Sequence, residues 1–328
     1  MKRILYFNTA VGSKNIGDYV INYSIKKQME YLSSKSFVLE LPTHTRTFGI
    51  IQKVFVPELI KSYKEFDYKF LCGTNALYTC MIRPNPCWNI SLFDRPVQKD
   101  VILLGVGVGI NRKNSDCYTK RLWKKVLNKE YYHSVRDLKT KEYLEKLGFK
   151  AIYTGCPTTW GFTPEFLSQV PKDKAEEAVF TLTCYTSNQE WDKNMLELLM
   201  KKYKKLYFFP QSFEDTAYLE SLISKEELEK IDIIGGNLES LDKVLTEKNV
   251  DYIGSRLHGG MFALQHKRRT IVIAIDYRAS NMLQDSNIIF NREKEDIKSL
   301  ENKIDSSFDT VIKIPFDNIK KWKQQFEM

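Results

Sequence analysis

Short apolar runs alternate along this chain with longer segments whose apolar positions recur at helical spacing, and the alternation predicts a repeating β-α order. The first β run is 3–7 (RILYF). A polar, glycine-containing loop at 8–17 follows, and a long helix begins near Asp18 with an apolar face of Val20, Ile21, Ile25, Met29 and Leu32. Further strands are predicted at 37–41, 68–72, 132–136 and 151–156. The run VILLGVGVG at 101–109 has the character of one buried parallel strand, its alternating glycines open to close approach by a ligand or backbone. Residues 138–148 predict a helix closed by a glycine, and 43–66 carries helical stretches without a clean period.

Pro157, Pro164 and Pro171 mark a stretch where periodicity lapses, so the boundary is set there: an N-terminal domain at 1–160, a linker at 161–175, a C-terminal domain at 176–315 and a terminal helix at 316–328. The second half restarts the alternation with strands at 179–185, 205–209, 231–234, 252–254 and 270–275. Helices fall at 190–204, 215–224 and 238–248, with a shorter one after Gly259-Gly260. A weaker strand at 311–314 and a helix at 318–326 finish the chain. Two such halves imply an α/β protein of two doubly wound, Rossmann-like domains facing each other across a cleft.

Composition narrows the class. The 328 residues are 43% hydrophobic, enough for two cores, and no run of uninterrupted apolar residues is long enough for a membrane span. The start, MKRILYFNTA, has too short an apolar run for a signal peptide, so a cytosolic protein is expected. Cys72, Cys80, Cys87, Cys117, Cys156 and Cys184 form no C-x-x-C pair and suggest reduced packing residues, with no metal site. Fifty Lys and Arg against 41 Asp and Glu leave +9. No nucleic-acid module accompanies that charge, so nucleic acid is excluded as a partner. A solvated basic surface or peripheral contact with an anionic membrane remains open.

The densest candidate chemistry lies at 251–276, DYIGSRLHGGMFALQHKRRTIVIAID. A strand, a turn carrying Arg256, Leu257 and His258, two glycines (Gly259, Gly260) and a helix put a fixed cation and an imidazole where a helix N-terminus already favours an anion. Arg256 can instead be a structural ion pair with Asp276 or Asp251, and His258 a satisfied turn histidine. Arg136-Asp137 after the 132–136 strand allows a cleft-facing arginine with Asp137 as helix cap. Asp18 can cap its helix. Gln211 after Pro210, Arg278 after Asp276, and Gly73-Thr74-Asn75 after the 68–72 strand also sit at strand ends, whereas His266 to Arg269 has the pattern of a solvated helix end.

Asn15-Ile16-Gly17-Asp18, Val135-Arg136-Asp137 with the helix behind it, and Ser255-Arg256-Leu257-His258-Gly259, in this order, resemble the polysaccharide pyruvyl transferase family from Asn15 to about Asp276. The resemblance implies a GT-B-like arrangement, phosphoenolpyruvate as donor with no cofactor, and a glycan acceptor, lipid-linked before export, on which two hydroxyls receive a pyruvate ketal. It implies donor contacts from Arg136, Arg256, Leu257 and His258, with the loop of Asn15, Gly17 and Asp18 facing the acceptor. His258 suits the general acid that protonates the donor methylene. This chain has Cys72-Gly73-Thr74-Asn75 where many relatives carry consecutive glycines, and Cys156-Pro157 where an Asp-Pro is common. Two other classes fit the same architecture: a nucleotide-sugar glycosyltransferase, for which Glu239 beside Gly235-Gly236-Asn237 is the ribose candidate, and a catalytically idle carbohydrate-binding relative.

Overall fold

The computed structural model describes residues 1–49, 52, 55–82, 87–94, 97–275, 279 and 285–326. The chain divides into two compact units. The first comprises Met1–Ser13, Ile21–Trp160 and Ile314–Met328, and the second Lys14–Val20 and Gly161–Lys313.

In the first unit, alternating side chains define the sheet. Strands β1 (Lys2–Asn8), β2 (Ser36–Pro42), β3 (Tyr68–Cys72), β4 (Leu77–Tyr78), β5 (Ile102–Leu104), β6 (Val108–Gly109), β7 (His133–Val135) and β8 (Ala151–Tyr153) pair only in parallel. The main sheet has the order β2-β1-β3-β5. Leu5, Phe7, Leu71 and Leu103 turn to one face, where Trp88 and Trp123 are buried. Ile4, Tyr6, Phe70, Ile102 and Leu104 turn to the other, against Ile21, Ile25 and Trp322. A sheet apolar on both faces needs cover on both, which parallel crossovers supply. Trp322 belongs to the terminal helix Phe316–Lys323; burying such a side chain contributes on the order of 2 kcal/mol or more, and its indole N–H is satisfied by the Tyr132 carbonyl at 2.8 Å.

Two expectations for this unit are corrected. The 101–109 run is not one strand: Gly105 takes a positive φ of 66°, and a Cβ there would lie 2.2 Å from Pro157 Cδ, so the chain turns between β5 and β6 and only glycine fits. The first helix, α1 (Ile16–Gln28), stops before Met29, and Leu32 lies on a separate short helix, Glu30–Ser33. Helix α2 (Leu138–Lys146) is capped by Asp137, which accepts from Thr140 N–H at 2.7 Å, and Gly148 follows it with φ 87°.

The second unit is a single parallel sheet of β9 (Glu177–Thr181), β10 (Lys205–Phe208), β11 (Ile231–Ile233), β12 (Val250–Gly254), β13 (Thr270–Ala274) and β14 (Ile289–Asn291), ordered β11-β10-β9-β12-β13-β14. The order runs outward from β9 one way and from β12 the other, so their carboxyl ends mark the switch point at which such sheets bind ligands. Helices α3 (Asp215–Glu220) and α4 (Leu257–Gln265) follow β10 and β12.

Residues 161–175 form a helix at Pro164–Leu167, capped by Thr163, and Ala175 N–H donates to Asp251. The strand expected at 311–314 is reduced to one bridge between Ile312 and Ser286, while β14 and a helix at Ile297–Asp305 lie where only a weak pattern was legible. Arg269, expected on a solvated helix end, is buried. It donates to Asp251 at 2.9 Å and to the carbonyls of Lys172, Lys303, Ile304 and Ser306. Its neighbour His266 does reach a surface carboxylate, Asp242, at 2.9 Å.

Candidate functional site

Strand β12 ends where it must pass close to β9. A Cβ on Gly254 would sit 2.2 Å from Thr181 Oγ1 and 2.6 Å from Thr181 backbone atoms, so only glycine permits this approach. The chain then turns through Ser255 into Arg256, the N-cap of α4, whose own side chain makes no capping bond to that helix. Its start is held from below instead. The Tyr252 hydroxyl donates to the Arg256 carbonyl at 2.7 Å, and Thr181 Oγ1 bonds Tyr252 at 2.7 Å while accepting from Arg256 N–H at 3.3 Å. Burial pushes the Tyr252 phenol well above its ordinary range, so it stays a neutral donor. Gly260 and Gly259 let the helix lie close: Cβ atoms there would come within 2.5 Å of Val272 Cγ2 and 2.7 Å of the Tyr252 hydroxyl. Gly260 therefore has a packing role.

The Arg256 side chain points inward and is 3% exposed. Its Nε donates to the Leu182 carbonyl at 3.2 Å, and Nη2 donates to Ser212 Oγ at 2.8 Å and to Asp215 at 2.5 Å. Asp251 is not its partner, since it holds Arg269, and Asp276 lies outside the described residues. Asp215 is fully buried and also accepts from the backbone N–H groups of Gln211, Ser212 and Cys184. One carboxylate thus ties together the segments after β9, β10 and β12. Among the described residues nothing bonds Arg256 Nη1.

The N-terminal motif joins this cluster. Asn15 Oδ1 accepts from Gly17 N–H at 3.1 Å and from Gln211 Nε2 at 3.0 Å, and Ile16 N–H donates to the Gln211 carbonyl at 2.9 Å. Gly17 packs against the imidazole of His258. A Cβ there would stand 3.1 Å from His258 Nδ1 and 2.9 Å from Gln211 Nε2. Asp18 is buried in the first turn of α1, its N–H donating to the Asn15 carbonyl at 3.1 Å, and His258 is buried in the first turn of α4. Leu257, between Arg256 and His258, is half-buried. The Gln211 Oε1 atom is buried, with no hydrogen-bond partner among the described residues.

A second group gathers in the first unit. Gly73 and Thr74 follow β3 in the left-handed region, at φ 63° and 51°, and the threonine makes that turn a strained one. Asn75 Oδ1 accepts from Arg136 Nη2, and Arg136 Nε lies 3.5 Å from Asp137, which serves as the α2 cap as well. Gly107 makes room, since a Cβ there would come 2.4 Å from Arg136 Nε.

The fourteen expected site residues are thus distributed as follows. Asn15, Gly17, Asp18, Gln211, Arg256, Leu257, His258, Gly259 and Gly260 lie in the second unit, and Gly73, Thr74, Asn75 and Arg136 in the first. Arg278 lies outside the described residues. Sequence reasoning missed Asp215, Ser212, Thr181 and Tyr252. Asp215 had one available signal, an acid at the start of a helix, but that pattern ordinarily means a cap. Among the described residues no group of three His, Cys, Asp or Glu is placed to hold a metal ion, and all six cysteines are free, Cys117 on the surface.

Residues 15–277 match the family described as polysaccharide pyruvyl transferase. No curated protein matches the sequence. Among solved structures, the Methanocaldococcus jannaschii UDP-GlcNAc 2-epimerase in complex with UDP-GlcNAc and UDP is similar at 14% identity and TM-score 0.51, over 99% of this chain and 97% of that one. MnaA of S. aureus, in a structure with UDP, is similar at 9% identity and TM-score 0.51, over 94% and 92%. These likenesses establish the fold, GT-B-like and α/β, and nothing about substrate.

Proposed function

The chain belongs to the polysaccharide pyruvyl transferase family, and from that membership we propose that it moves the pyruvyl group of phosphoenolpyruvate onto two hydroxyls of a sugar in a surface or capsular polysaccharide repeat unit. One observation carries the reading: the N-I-G-D loop, Gln211 and the R-L-H turn meet at the switch point of the second unit, around the start of α4. Backbone N–H groups and the helix dipole there favour an anionic group of the donor. Asp215 offsets the charge of Arg256, so Arg256 contributes direction more than net attraction: its fork is locked and Nη1 is the nitrogen left for a ligand oxygen. Arg136, held by Asn75, is the proposed anion contact of the first unit.

Ketal formation requires a proton on the donor methylene, attack of one hydroxyl on the resulting cationic carbon, cleavage of the carbon–oxygen bond to phosphate, and attack of the second hydroxyl. Of the two protons leaving the hydroxyls, one replaces that given to the methylene and the other leaves with phosphate. His258 is the proposed acid, set in place by the α4 start and by the close pass of Gly17. Asp18 is the nearest carboxylate in sequence to that loop and the proposed acceptor of a hydroxyl proton. The donor is a substrate, and no cofactor enters the scheme.

We place the acceptor on a lipid carrier at the inner face of the membrane, where the +9 balance favours anionic lipid. No helix among the described residues is long and apolar enough to cross a membrane. Binding to anionic vesicles is expected to fall with added salt. The nucleotide-sugar alternative finds less support, because Glu239 stands exposed in the first turn of the helix Leu238–Glu247. The deciding experiment is calorimetric titration with phosphoenolpyruvate, UDP and GDP. Binding of phosphoenolpyruvate alone is the expected result; saturable binding of a nucleotide without it overturns the donor.

A further inference from the structure

Two aromatic side chains stand in solvent beside the Arg256 cluster. Tyr185, in the turn Cys184–Thr186 after β9, is 56% exposed, and Phe213, next to Ser212 after β10, is 88% exposed. The two strands are neighbours, with Phe180 opposite Phe208, so both rings rise from adjoining carboxyl ends at the binding edge of the sheet. Aromatic side chains ordinarily bury most of their surface, and a pair left open at such an edge marks a contact surface.

The Tyr185 ring has one face against the Arg256 guanidinium, whose Cζ lies 4.9 Å from the ring centroid. Its exposure therefore falls on the rest of the ring. The turn that carries it is clamped: Cys184 N–H donates to Asp215 at 3.4 Å, and the Thr186 carbonyl accepts from Arg292, which in turn lies 3.5 Å from Asp192. Arg256 and Arg292 are thus each matched by a buried carboxylate, Asp215 and Asp192. The Cys184 thiol adds no charge, because burial and the adjacent Asp215 push its pKa up. The surface is aromatic, rigid and charge-balanced, with the Ser212 hydroxyl at its margin. Those properties suit a ligand that is neutral, has an apolar face of C–H groups and carries hydroxyls around its edge. A nucleoside diphosphate also stacks, but its phosphates would have to take the helix start and the Arg256 Nη1 that the proposed donor uses, so the two readings separate by competition.

We propose that Tyr185 and Phe213 form the aromatic platform of a sugar subsite on the second unit, taking a neutral pyranose ring of the acceptor glycan by stacking. The choice of a sugar rests on the pyruvyl-transfer reading, and it makes these two side chains determinants of acceptor specificity.

The test is saturation-transfer NMR on the full chain with methyl glucoside, methyl galactoside, methyl mannoside and N-acetylglucosamine, beside the calorimetric phosphoenolpyruvate titration of the unsubstituted protein. At least one glycoside is expected to receive saturation at its ring C–H protons, and Tyr185→Ala and Phe213→Ala each weaken its binding about tenfold. Tyr185→Trp retains it. Because both residues are exposed, the variants keep the parent melting temperature, which separates loss of a platform from loss of folding. No glycoside binding, or equal binding by Tyr185→Ala, overturns the subsite. So does displacement of the glycoside by UDP whose own affinity drops in Tyr185→Ala, which makes the platform a nucleobase site. If a glycoside binds through Tyr185 while phosphoenolpyruvate does not bind, the subsite stands and the pyruvyl reading falls.

Discussion

The second unit contains two buried arginine–aspartate pairs at opposite ends of one sheet, and they differ in what they leave unsatisfied. At the amino end, Asp251 near the start of β12 meets Arg269 just before β13. Arg269 Nε, Nη1 and Nη2 are all engaged, and its Cζ lies 4.5 Å from the Phe308 ring centroid. Asp251 also accepts from Tyr203 at 2.7 Å and from Ala175 N–H. Burial raises the Asp251 pKa while Arg269 opposes it. At the carboxyl end, Asp215 and Arg256 make the same kind of pair, but Nη1 has no partner among the described residues, a helix begins at Arg256 itself, and an exposed tyrosine lies on the guanidinium. A saturated pair joins elements; an unsaturated one joins elements and still has something to offer a ligand. The histidines differ in place. His133 in the first unit accepts from Leu103 N–H at 3.0 Å through Nδ1 and donates to the Asn128 carbonyl at 2.9 Å through Nε2, so it is sealed into the sheet. His258 instead sits at the start of α4 against the N-terminal motif.

The sharpest way to break this contrast is His258→Gln. It is expected to lower the rate of pyruvate ketal formation by about 10²–10⁴-fold and to leave the denaturation midpoint nearly unchanged; a loss below tenfold removes His258 as the acid. Arg269→Leu should do the opposite. Stranding Asp251 costs about 3–5 kcal/mol, measured by urea unfolding, while the folded fraction keeps its specific activity within about twofold. A large activity loss in that folded fraction collapses the distinction between the two ends.

Acid sharpens the histidine comparison. Burial lowers the His133 pKa from 6.5 to about 4, so the unfolded chain binds the proton more readily than the folded one. Stability is fully present above pH 6.5 and falls as pH drops toward 4, by about 3 kcal/mol in total. Unfolding free energies across that range in the parent and in His133→Gln should lose the pH slope in the variant. The smallest effect is expected for Arg256→Lys, which keeps the charge but not the fork that reaches Leu182, Ser212 and Asp215 together. About tenfold in kcat/KM and 1–2 kcal/mol of stability should be lost. Equal kinetics for Lys and Arg would reduce Arg256 to a point charge.

The two larger sheets were legible because apolar runs bounded by turns, repeated with helical periods between them, are local signals. β1, β3 and β10 appear within a residue or two of where the pattern put them. The R-L-H turn was legible for the same reason: a strand end, two glycines and a helix fall within a few consecutive residues. The break at Gly105 was not, because it answers to Pro157, which is remote in sequence. β14 and the helix after it were not either, since their apolar positions make sense only once β13 is there to pack against.

By itself, then, the sequence determined the α/β class, the succession of βα units and which motifs carry polar chemistry at strand ends, all of which follow from spacing along the chain. Only the tertiary structure decided which arginine meets which aspartate, because a buried charge must find its partner in space and not in order. Asp215 is 41 residues from Arg256 and Gln211 is 196 from Asn15. No periodicity encodes those distances. The cost of leaving such groups unpaired in the interior selects them during folding.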